Sequence, residues 1–204
     1  MGIFRYGSRE LDHPRARDKK LGRAIDGIGL IEREVTPDLF IALVSSVASQ
    51  QISARAAETV WRRMEEQFGA VTPASIADAS PEDLRVCGMS ARKAGYIRGL
   101  GEAVVNGSLD LDGLCDLPDE EVIARLTALK GVGAWTAEMI LIFSMERPDV
   151  LSSGDLAIRR GLLRLYGGTS ISPKQFERYR KRYSPYGSVA SMYLWEISHQ
   201  PDGE

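Results

Sequence analysis

Cysteine and histidine are scarce in this sequence, which contains two of each among 204 residues. Two cysteines cannot build a disulfide framework, and they cannot supply a four-cysteine metal or iron–sulfur site. His13 and His199 have no partner at the spacing of metal ligands, so they are interpreted as surface or packing residues. We therefore expect no cofactor, and in particular no iron–sulfur cluster.

Long hydrophobic runs are also missing. No stretch reaches the roughly 18 uninterrupted apolar residues of a membrane span. The N-terminal sequence MGIFRYGSRELDHPRARDKK lacks the apolar core of a signal peptide. The chain is therefore expected to be cytoplasmic and to have no membrane partner. Its hydrophobic content of 44% is sufficient for the core of one domain or of two small lobes.

The overall charge is small, with a formal net charge of −2 and a pI near 5.8. This balance argues against a general nucleic-acid coat protein. The distribution is uneven, because the segment 156–204 contains eight basic and four acidic residues. This end of the chain could face phosphate, or its ERYRKR segment could be a solvated helix face, and charge alone leaves both interpretations open.

An all-α protein is predicted by the residues that begin and end the apolar segments. A hydroxyl side chain can cap free N–H groups, and a proline at the first helical position loses no hydrogen bond. Such pairs are Thr36-Pro37, Thr72-Pro73, Ser80-Pro81 and Ser172-Pro173, and glycines suited to helix ends follow at 69, 88, 107 and 167. The predicted helices cover 38–50, 53–69, 90–106, 118–128, 134–145, 155–166, 173–183 and 187–198, and no segment alternates like a strand.

The segment EEVIARLTALKGVGAWTAEMILIF predicts two helices joined by a tight Gly131-Val132-Gly133 turn. Small residues at 131, 133, 134 and 137 would allow the two helix backbones to approach closely. They would also leave N–H groups uncovered at the start of the second helix, where phosphate is attracted. The alternative is that this turn is a structural corner only.

Three separate segments in the right order resemble the helix-hairpin-helix, Gly/Pro…Asp (HhH-GPD) superfamily of base-excision DNA glycosylases. LTALKGVGAWTAEMIL followed by VLSSGDLAIRRGL carries the superfamily signature. VASQQISARAA and YSPYGSVASMYLW resemble its alkylpurine branch, the bacterial 3-methyladenine DNA glycosylase II type. The resemblance spans about residues 36–198, and it leaves no room for the N-terminal β domain of the best-known bacterial member.

The resemblance implies a two-lobed all-α fold with the active site in the cleft between the lobes. The chain would then be a single helix-hairpin-helix glycosylase domain, 1–204. One lobe would contain residues 36–128 with the hairpin 119–145, and the other residues 1–35 with 146–204.

The catalytic carboxylate of the superfamily aligns with Asp155. A carboxylate stabilises the positive charge that develops on the sugar during cleavage of an N-glycosidic bond. Asp155 could instead only cap the following helix, although capping and catalysis are compatible. Trp135 stands where bifunctional members carry a Schiff-base lysine, which implies a monofunctional enzyme that uses water. The other interpretation of Trp135 is a core residue.

Further site residues follow from the same resemblance. The base pocket is expected to contain Trp135, Met139, Leu156 and Tyr186, with Met139 and Leu156 in place of two tyrosines and Gly187 in place of an arginine. Backbone contacts to DNA are expected at Gly131, Gly133, Ala134 and Thr136. The residue that fills the space of a flipped base is expected to be Gln51 or Ile52, although Gln50 and Gln51 could equally tie down a helix end. Backbone carbonyls of Thr127, Leu129 and Val132 match a monovalent-cation site.

The function implied is hydrolytic removal of alkylated purines of the 3-methyladenine or 7-methylguanine type, with damaged double-stranded DNA as the partner and a monomeric enzyme. Two alternatives remain. One is a mismatch or oxidised-base glycosylase of the same superfamily, and the other is a non-catalytic hairpin that binds DNA. Asp155 argues against the last of these, because a binding module would not need it.

Overall fold

The computed structural model describes residues 2–200, and the regular secondary structure within them is almost entirely α-helical. Met1 and residues 201–204, which include two of the four acidic residues counted in the basic segment, lie outside the described residues. The prediction of an all-α fold is confirmed. No helix within residues 2–200 is long and apolar enough to cross a membrane.

The helices and strands follow one another along the chain with short connections. A two-residue strand, β1, pairs antiparallel with β2, with Gly2 opposite Val35 and Ile3 opposite Glu34. The bounds are β1 Gly2–Ile3, α1 Ser8–Arg17, α2 Lys19–Ile28, β2 Glu34–Val35, α3 Leu39–Ser49, α4 Ala54–Phe68, α5 Pro73–Asp78, α6 Pro81–Val86, α7 Ala91–Val105, a 3₁₀ turn Gly113–Asp116, α8 Asp119–Thr127, α9 Ala134–Phe143, α10 Leu156–Tyr166, α11 Pro173–Tyr183 and α12 Gly187–His199.

The described chain divides into two units, residues 36–140 and residues 2–35 with 141–200. The first division coincides with the one expected at 35/36. The second lies inside α9, whereas the sequence interpretation divided the lobes after the hairpin, at 145/146.

The unit formed by residues 36–140 is built around α3. This helix is buried around most of its circumference, including Leu43, Val44 and Val47, and it packs against α4 and α7. Helix α5 lies very close to α7, since a Cβ added to Gly101 would be 2.7 Å from the Ala77 nitrogen. A larger residue at 101 would therefore separate the two helices.

In the unit formed by residues 2–35 and 141–200, α12 is the central helix and packs against α2 and α10. Two buried serines of α12 hold the chain that leads to Asp155. Ser188 Oγ donates to the Arg147 carbonyl at 2.5 Å and accepts from the Val150 N–H at 3.0 Å, while Ser191 Oγ donates to the Val150 carbonyl at 2.9 Å. The loop before α10 is thus fixed to the core helix.

Most predicted helix ends are confirmed, with one correction. Thr72, Ser80 and Ser172 cap their helices, and a proline follows each of them. The predicted Thr36-Pro37 start is wrong, because Asp38 caps α3 by accepting from the Ile41 N–H at 2.9 Å. A carboxylate placed closer to the apolar run therefore takes the capping position. All four predicted glycines at helix ends have positive φ angles.

Sequence patterns did not predict α1 and α2. The sequence of α1 is polar, and Pro14 reads as a helix breaker although it lies inside this helix. Helix α2 was overlooked although Leu21, Ile25 and Ile28 recur at helical spacing. The two helices are joined at Asp18, which is buried and forms an ion pair with Arg182 at 2.5 Å. This partner is far away in the sequence, so no local pattern could indicate it. The two-residue strands are likewise too short to show alternation.

Candidate active site

Asp155 caps α10 through its side chain. One carboxylate oxygen, Oδ1, accepts hydrogen bonds from the N–H groups of Ala157 at 2.8 Å and Ile158 at 2.9 Å. The residue is 6% exposed, although Ser153 and Gly154 before it are exposed. The capping role is therefore observed, and its helix end favours a negative charge. The catalytic role remains a prediction that this geometry permits.

Trp195 is a site residue that sequence reasoning missed. Its indole Nε1 donates a hydrogen bond to Asp155 Oδ2 at 3.1 Å. The ring stacks on Phe143, with centroids 5.6 Å apart and planes inclined by 27°. Both carboxylate oxygens of Asp155 thus accept hydrogen bonds, which fix the orientation of the group. A partly buried tryptophan N–H requires an acceptor, but nothing in the segment MYLWEIS indicates which residue supplies it.

The four predicted base-pocket residues differ in exposure. Trp135 is 51% exposed and Leu156 is 76% exposed, so the interpretation of Trp135 as a core residue is wrong. Met139 is half-buried and lies one helical turn after Trp135 on the same side of α9. Tyr186 is half-buried and packs edge-on against His13, with ring centroids 5.5 Å apart. Two large apolar side chains are therefore accessible, one at the first turn of each of two helices.

The two glycines of the hairpin have different roles. Gly131 has φ +88°, and a Cβ added to it would lie 2.5 Å from the Tyr96 ring. The turn and its packing therefore explain this glycine without any ligand. Gly133 is exposed, and an added Cβ would meet no atom within 4 Å. The prediction that small residues at 133 and 134 allow the helix backbones to approach is wrong, because both residues face solvent.

The first turn of α9 is the part of the hairpin that is open to a phosphate. N–H groups in the first turn of a helix have no carbonyl partner within that helix, and they attract anions. Exposed Gly133 and Ala134 leave this turn accessible. Thr136 was predicted to contact DNA, but it is buried at 5% exposure, so only its backbone and not its hydroxyl group is suited to such a contact.

The expected wedge residues lie in the connection between α3 and α4. Gln51 is exposed and has a left-handed backbone, with φ +59°, and Ile52 is 40% exposed. The alternative, in which Gln50 and Gln51 tie down a helix end, does not describe the amide of Gln50, whose Nε2 donates to the Gly131 carbonyl in the hairpin turn at 2.9 Å. Gln50 therefore fastens this connection to the hairpin turn rather than to a helix end.

The carbonyls expected to bind a cation lie at the end of α8 and in the turn after it. Thr127 is the last residue of α8, and the Leu129 carbonyl accepts from the Val132 N–H at 3.2 Å. Backbone carbonyl oxygens are suitable ligands for a monovalent cation, and the cation site stays a prediction. Within residues 2–200, no three His, Cys, Asp or Glu side chains cluster to hold a metal ion.

Several bases in the segment 156–200 bind within the protein. Arg159 donates to the Ile171 carbonyl at 2.5 Å, and Arg164 donates to the Ser198 carbonyl at 2.7 Å. Arg182 pairs with Asp18, and Arg180 pairs with Glu177 at 2.8 Å. Fewer basic side chains of this segment are therefore available to bind phosphate than the sequence alone suggests.

Comparison with known proteins identifies the family. The sequence profile of the HhH-GPD superfamily of base excision DNA repair proteins matches residues 44–185. The chain belongs to this superfamily. The resemblance inferred from the hairpin and Asp155 is therefore confirmed.

The HhH-GPD chain has close relatives. It is 37% identical to DNA-3-methyladenine glycosylase 1 of Schizosaccharomyces pombe over 78% of this chain and 72% of the relative. A crystal structure of DNA-3-methyladenine glycosidase from Bacillus halodurans has a TM-score of 0.87 and 38% identity, covering 98% of this chain and 94% of that one. The S. pombe enzyme in complex with abasic DNA has a TM-score of 0.81 and 30% identity, covering 97% and 100%. The chain spans less than two thirds of the length of several other curated relatives.

Proposed function

We propose that the protein is a monofunctional DNA glycosylase of base excision repair that hydrolyses the N-glycosidic bond of alkylated purines, of the 3-methyladenine and 7-methylguanine type, in damaged double-stranded DNA. The observation that carries the proposal is the buried Asp155 carboxylate, held by N–H donors from α10 and from Trp195. Relatives named DNA-3-methyladenine glycosylase support the substrate class.

The chemistry follows from the fixed carboxylate. As the bond between the sugar and the purine breaks, the bonding electrons leave with the base and positive charge develops on the sugar. A carboxylate at about 4 Å, with an effective dielectric constant near 20, stabilises that charge by about 4 kcal/mol, or roughly a thousandfold in rate. Because the hydrogen bonds hold Asp155 before the reaction, no reorganisation is needed. Water then adds to the sugar and leaves an abasic site.

The exposed Trp135 side chain supports the hydrolytic mechanism. An indole has no amine that could form a Schiff base with the sugar, and Lys130 lies before the turn, outside the matched position. The electron-rich ring of Trp135 is accessible to a cationic alkylated base, and such a contact contributes about 0.5 to 2 kcal/mol to binding. Alkylation also weakens the glycosidic bond, so cationic purines should be released faster than neutral ones.

A monovalent cation in the hairpin and a monomeric state are part of the same proposal. The carbonyls of Thr127, Leu129 and Val132 would hold the cation. The cation would then screen their partial negative charge from a DNA phosphate near the turn. Replacing potassium by tetramethylammonium at constant ionic strength should then weaken duplex binding. Equal affinity in both salts would remove the cation from the proposal, and sedimentation of the free protein tests the monomer.

The experiment is a panel of duplexes that each contain one lesion, scored for abasic product. We expect 7-methylguanine to be released at least about tenfold faster than hypoxanthine, a difference near 1.4 kcal/mol in barrier. A preference for a mismatched or oxidised base would overturn the alkylpurine assignment and leave the glycosylase assignment intact. Borohydride added during turnover should trap no covalent protein–DNA adduct, and substantial trapping would show that an amine such as that of Lys130 reacts.

A further inference from the structure

The connection between α3 and α4, residues 50–53, is held by side chains more than by its own backbone. We call it the α3–α4 loop. Its two backbone hydrogen bonds, Gln50 N–H to the Val47 carbonyl and Ile52 N–H to the Ser49 carbonyl, are both 3.4 Å long and therefore weak. Gln51 between them has the left-handed backbone that residues other than glycine rarely adopt. Something outside the loop must hold this conformation.

Lys93 of α7 supplies one of these constraints. Its Nζ donates to the Ala48 carbonyl at 2.8 Å and also to the Gln50 carbonyl. The last carbonyls of a helix lack partners and carry partial negative charge, which a lysine ammonium satisfies. Burial lowers the pKa of Lys93, and neighbouring Arg92 lowers it further.

Gln50 supplies the second constraint through its hydrogen bond to the Gly131 carbonyl. Lys93 thus binds the Gln50 backbone while the Gln50 side chain binds the hairpin turn. A concavity of about 220 Å³ lies beside these groups and is lined by the α3–α4 loop, Lys93 and residues 88–90. The loop, the start of α7 and the hairpin turn therefore form one connected arrangement within residues 36–140.

We propose that Lys93 is a positioning residue, which holds the α3–α4 loop so that Gln51 or Ile52 can occupy the space left when a damaged nucleotide is flipped out of the duplex. The inference rests on the proposed function. A wedge gives an advantage only if it is already in place, because ordering the loop during flipping would add an entropic cost to each encounter. Lys93 acts through the loop and need not touch the lesion.

The test compares Lys93→Met with Arg92→Met. The first variant keeps an unbranched side chain that is one atom shorter and removes both hydrogen bonds, while the second removes a neighbouring exposed charge from the same helix turn. We expect Lys93→Met to reduce single-turnover release of 7-methylguanine from duplex by at least about tenfold, since small misplacements of a positioning group have effects of this size. Arg92→Met should change it by less than about threefold, as expected for one exposed charge, and Lys93→Arg should recover most of the rate.

A second substrate separates positioning from other roles. In a single-stranded oligonucleotide the lesion has no partner base to leave, so the wedge is not needed. Lys93→Met should therefore release 7-methylguanine from the single strand at nearly the wild-type rate. Equal losses on both substrates would overturn the inference, because Lys93 would then act on phosphate binding or on general stability. If the wild-type protein releases no base from either substrate, the proposed function fails, whatever the role of Lys93.

A third comparison uses Gln50→Leu, which breaks the other constraint and leaves Lys93 in place. We expect the same loss on duplex and not on single strand. The effects of Lys93→Met and Gln51→Ala should also be less than additive, since both act on the same loop. Additive effects would contradict the proposal that Lys93 positions the α3–α4 loop. A normal rate on duplex for Gln50→Leu, with an intact fold by circular dichroism, would contradict it as well.

Discussion

Asp155 is oriented by two different parts of the chain. The backbone of α10 binds one carboxylate oxygen, and the indole of Trp195 binds the other. The first interaction is local and gives a helix cap, while the second comes from a residue 40 positions later. Capping alone would not need the second interaction. The capping role of Asp155 and its proposed catalytic role can therefore be separated by substituting Asp155 and Trp195 one at a time.

Asp155→Asn should nearly abolish base release and preserve both the fold and binding to lesion-containing duplex. Asparagine is as good a capping residue as aspartate, but it lacks the charge that stabilises the sugar cation. We expect a loss of roughly a thousandfold in single-turnover rate, with a small fall in melting temperature, because the asparagine NH2 group cannot accept the hydrogen bond from Trp195. A loss of less than about tenfold would remove Asp155 from the catalytic role.

Trp195→Phe should lower kcat with little change in KM. The substitution keeps an aromatic ring for stacking on Phe143 and removes the donor to Asp155. The carboxylate then loses the hydrogen bond from the indole, and we expect a loss of about tenfold or more in kcat, because misplacement of a catalytic group has effects of this size. Trp61→Phe is the matched control, since Trp61 also loses an indole hydrogen bond, to Glu65 at 2.9 Å on an exposed helix face. Similar kinetics for both variants would show that Trp195 is only a packing residue.

At the scale of elements, the hairpin between α8 and α9 contains one glycine that the fold requires and one that it does not. Gly131 faces Tyr96 in a left-handed conformation, whereas Gly133 has open space around it. A larger residue in place of Gly131 should therefore affect folding. A larger residue in place of Gly133 should affect the binding of a partner at the start of α9. The same turn accepts the Gln50 amide, so the hairpin also supports the α3–α4 loop.

Gly133→Val should weaken binding to damaged and undamaged duplex alike, because a backbone contact to phosphate is independent of sequence. We expect a loss of about tenfold in affinity, comparable to the removal of one charge-assisted hydrogen bond, and little change in melting temperature. Gly95→Val is the control, since Gly95 is also exposed with open space for a Cβ, but lies in α7. Unchanged affinity in gel-shift titrations would leave the hairpin as a structural corner only.

At the scale of the whole molecule, stability depends on a buried polar cluster around Asp18. This carboxylate caps α2, pairs with Arg182 of α11 and accepts a hydrogen bond from Tyr166 of α10. Tyr166 also hydrogen-bonds to Tyr183 at 2.7 Å. Although burial raises the pKa of Asp18, the hydrogen bonds from Tyr166 and Arg182 outweigh it, and the pKa is lowered overall.

Asp18→Asn should therefore reduce stability in a pH-dependent way. A lowered folded-state pKa contributes stability above the unfolded value of about 3.9, and this contribution is lost as the pH falls through the folded value. We expect the free energy of unfolding to fall by about 2 kcal/mol at pH 7, since Arg182 is partly exposed and Asn still caps α2.

Urea unfolding of wild type and variant at pH 7 and at about pH 3 tests this. The difference should shrink at the lower pH, because Asp18 of the unfolded wild type takes up a proton there while the folded state, with its lowered pKa, takes up less. Asp26→Asn is the control, because Asp26 pairs with Arg15 at an exposed surface. A difference that is constant with pH would mean that shape, and not charge, accounts for the effect.

Local chemistry made much of the fold predictable from the sequence. Ser80 caps the helix that begins at the next residue, and Gly131 and Gly133 mark the hairpin turn, because caps and tight turns depend on neighbours in the chain. The local signal at Asp155, a carboxylate before a helix, predicted only a cap, and its catalytic role was inferred from the resemblance to the superfamily. Helix α1 was missed because its sequence is polar and contains Pro14, whereas α2 has apolar residues at helical spacing and was overlooked.

The sequence by itself therefore determined most of the helices after α2, the hairpin, the family and the residue expected to stabilise the sugar cation. Only the tertiary structure decided that Trp195 binds Asp155, that Gly131 faces Tyr96 while Gly133 is open, and that Lys93 and Gln50 hold the α3–α4 loop. Each of these contacts joins residues that lie far apart in the chain. The choice of partner is set by how the helices pack, which periodicity and capping do not encode.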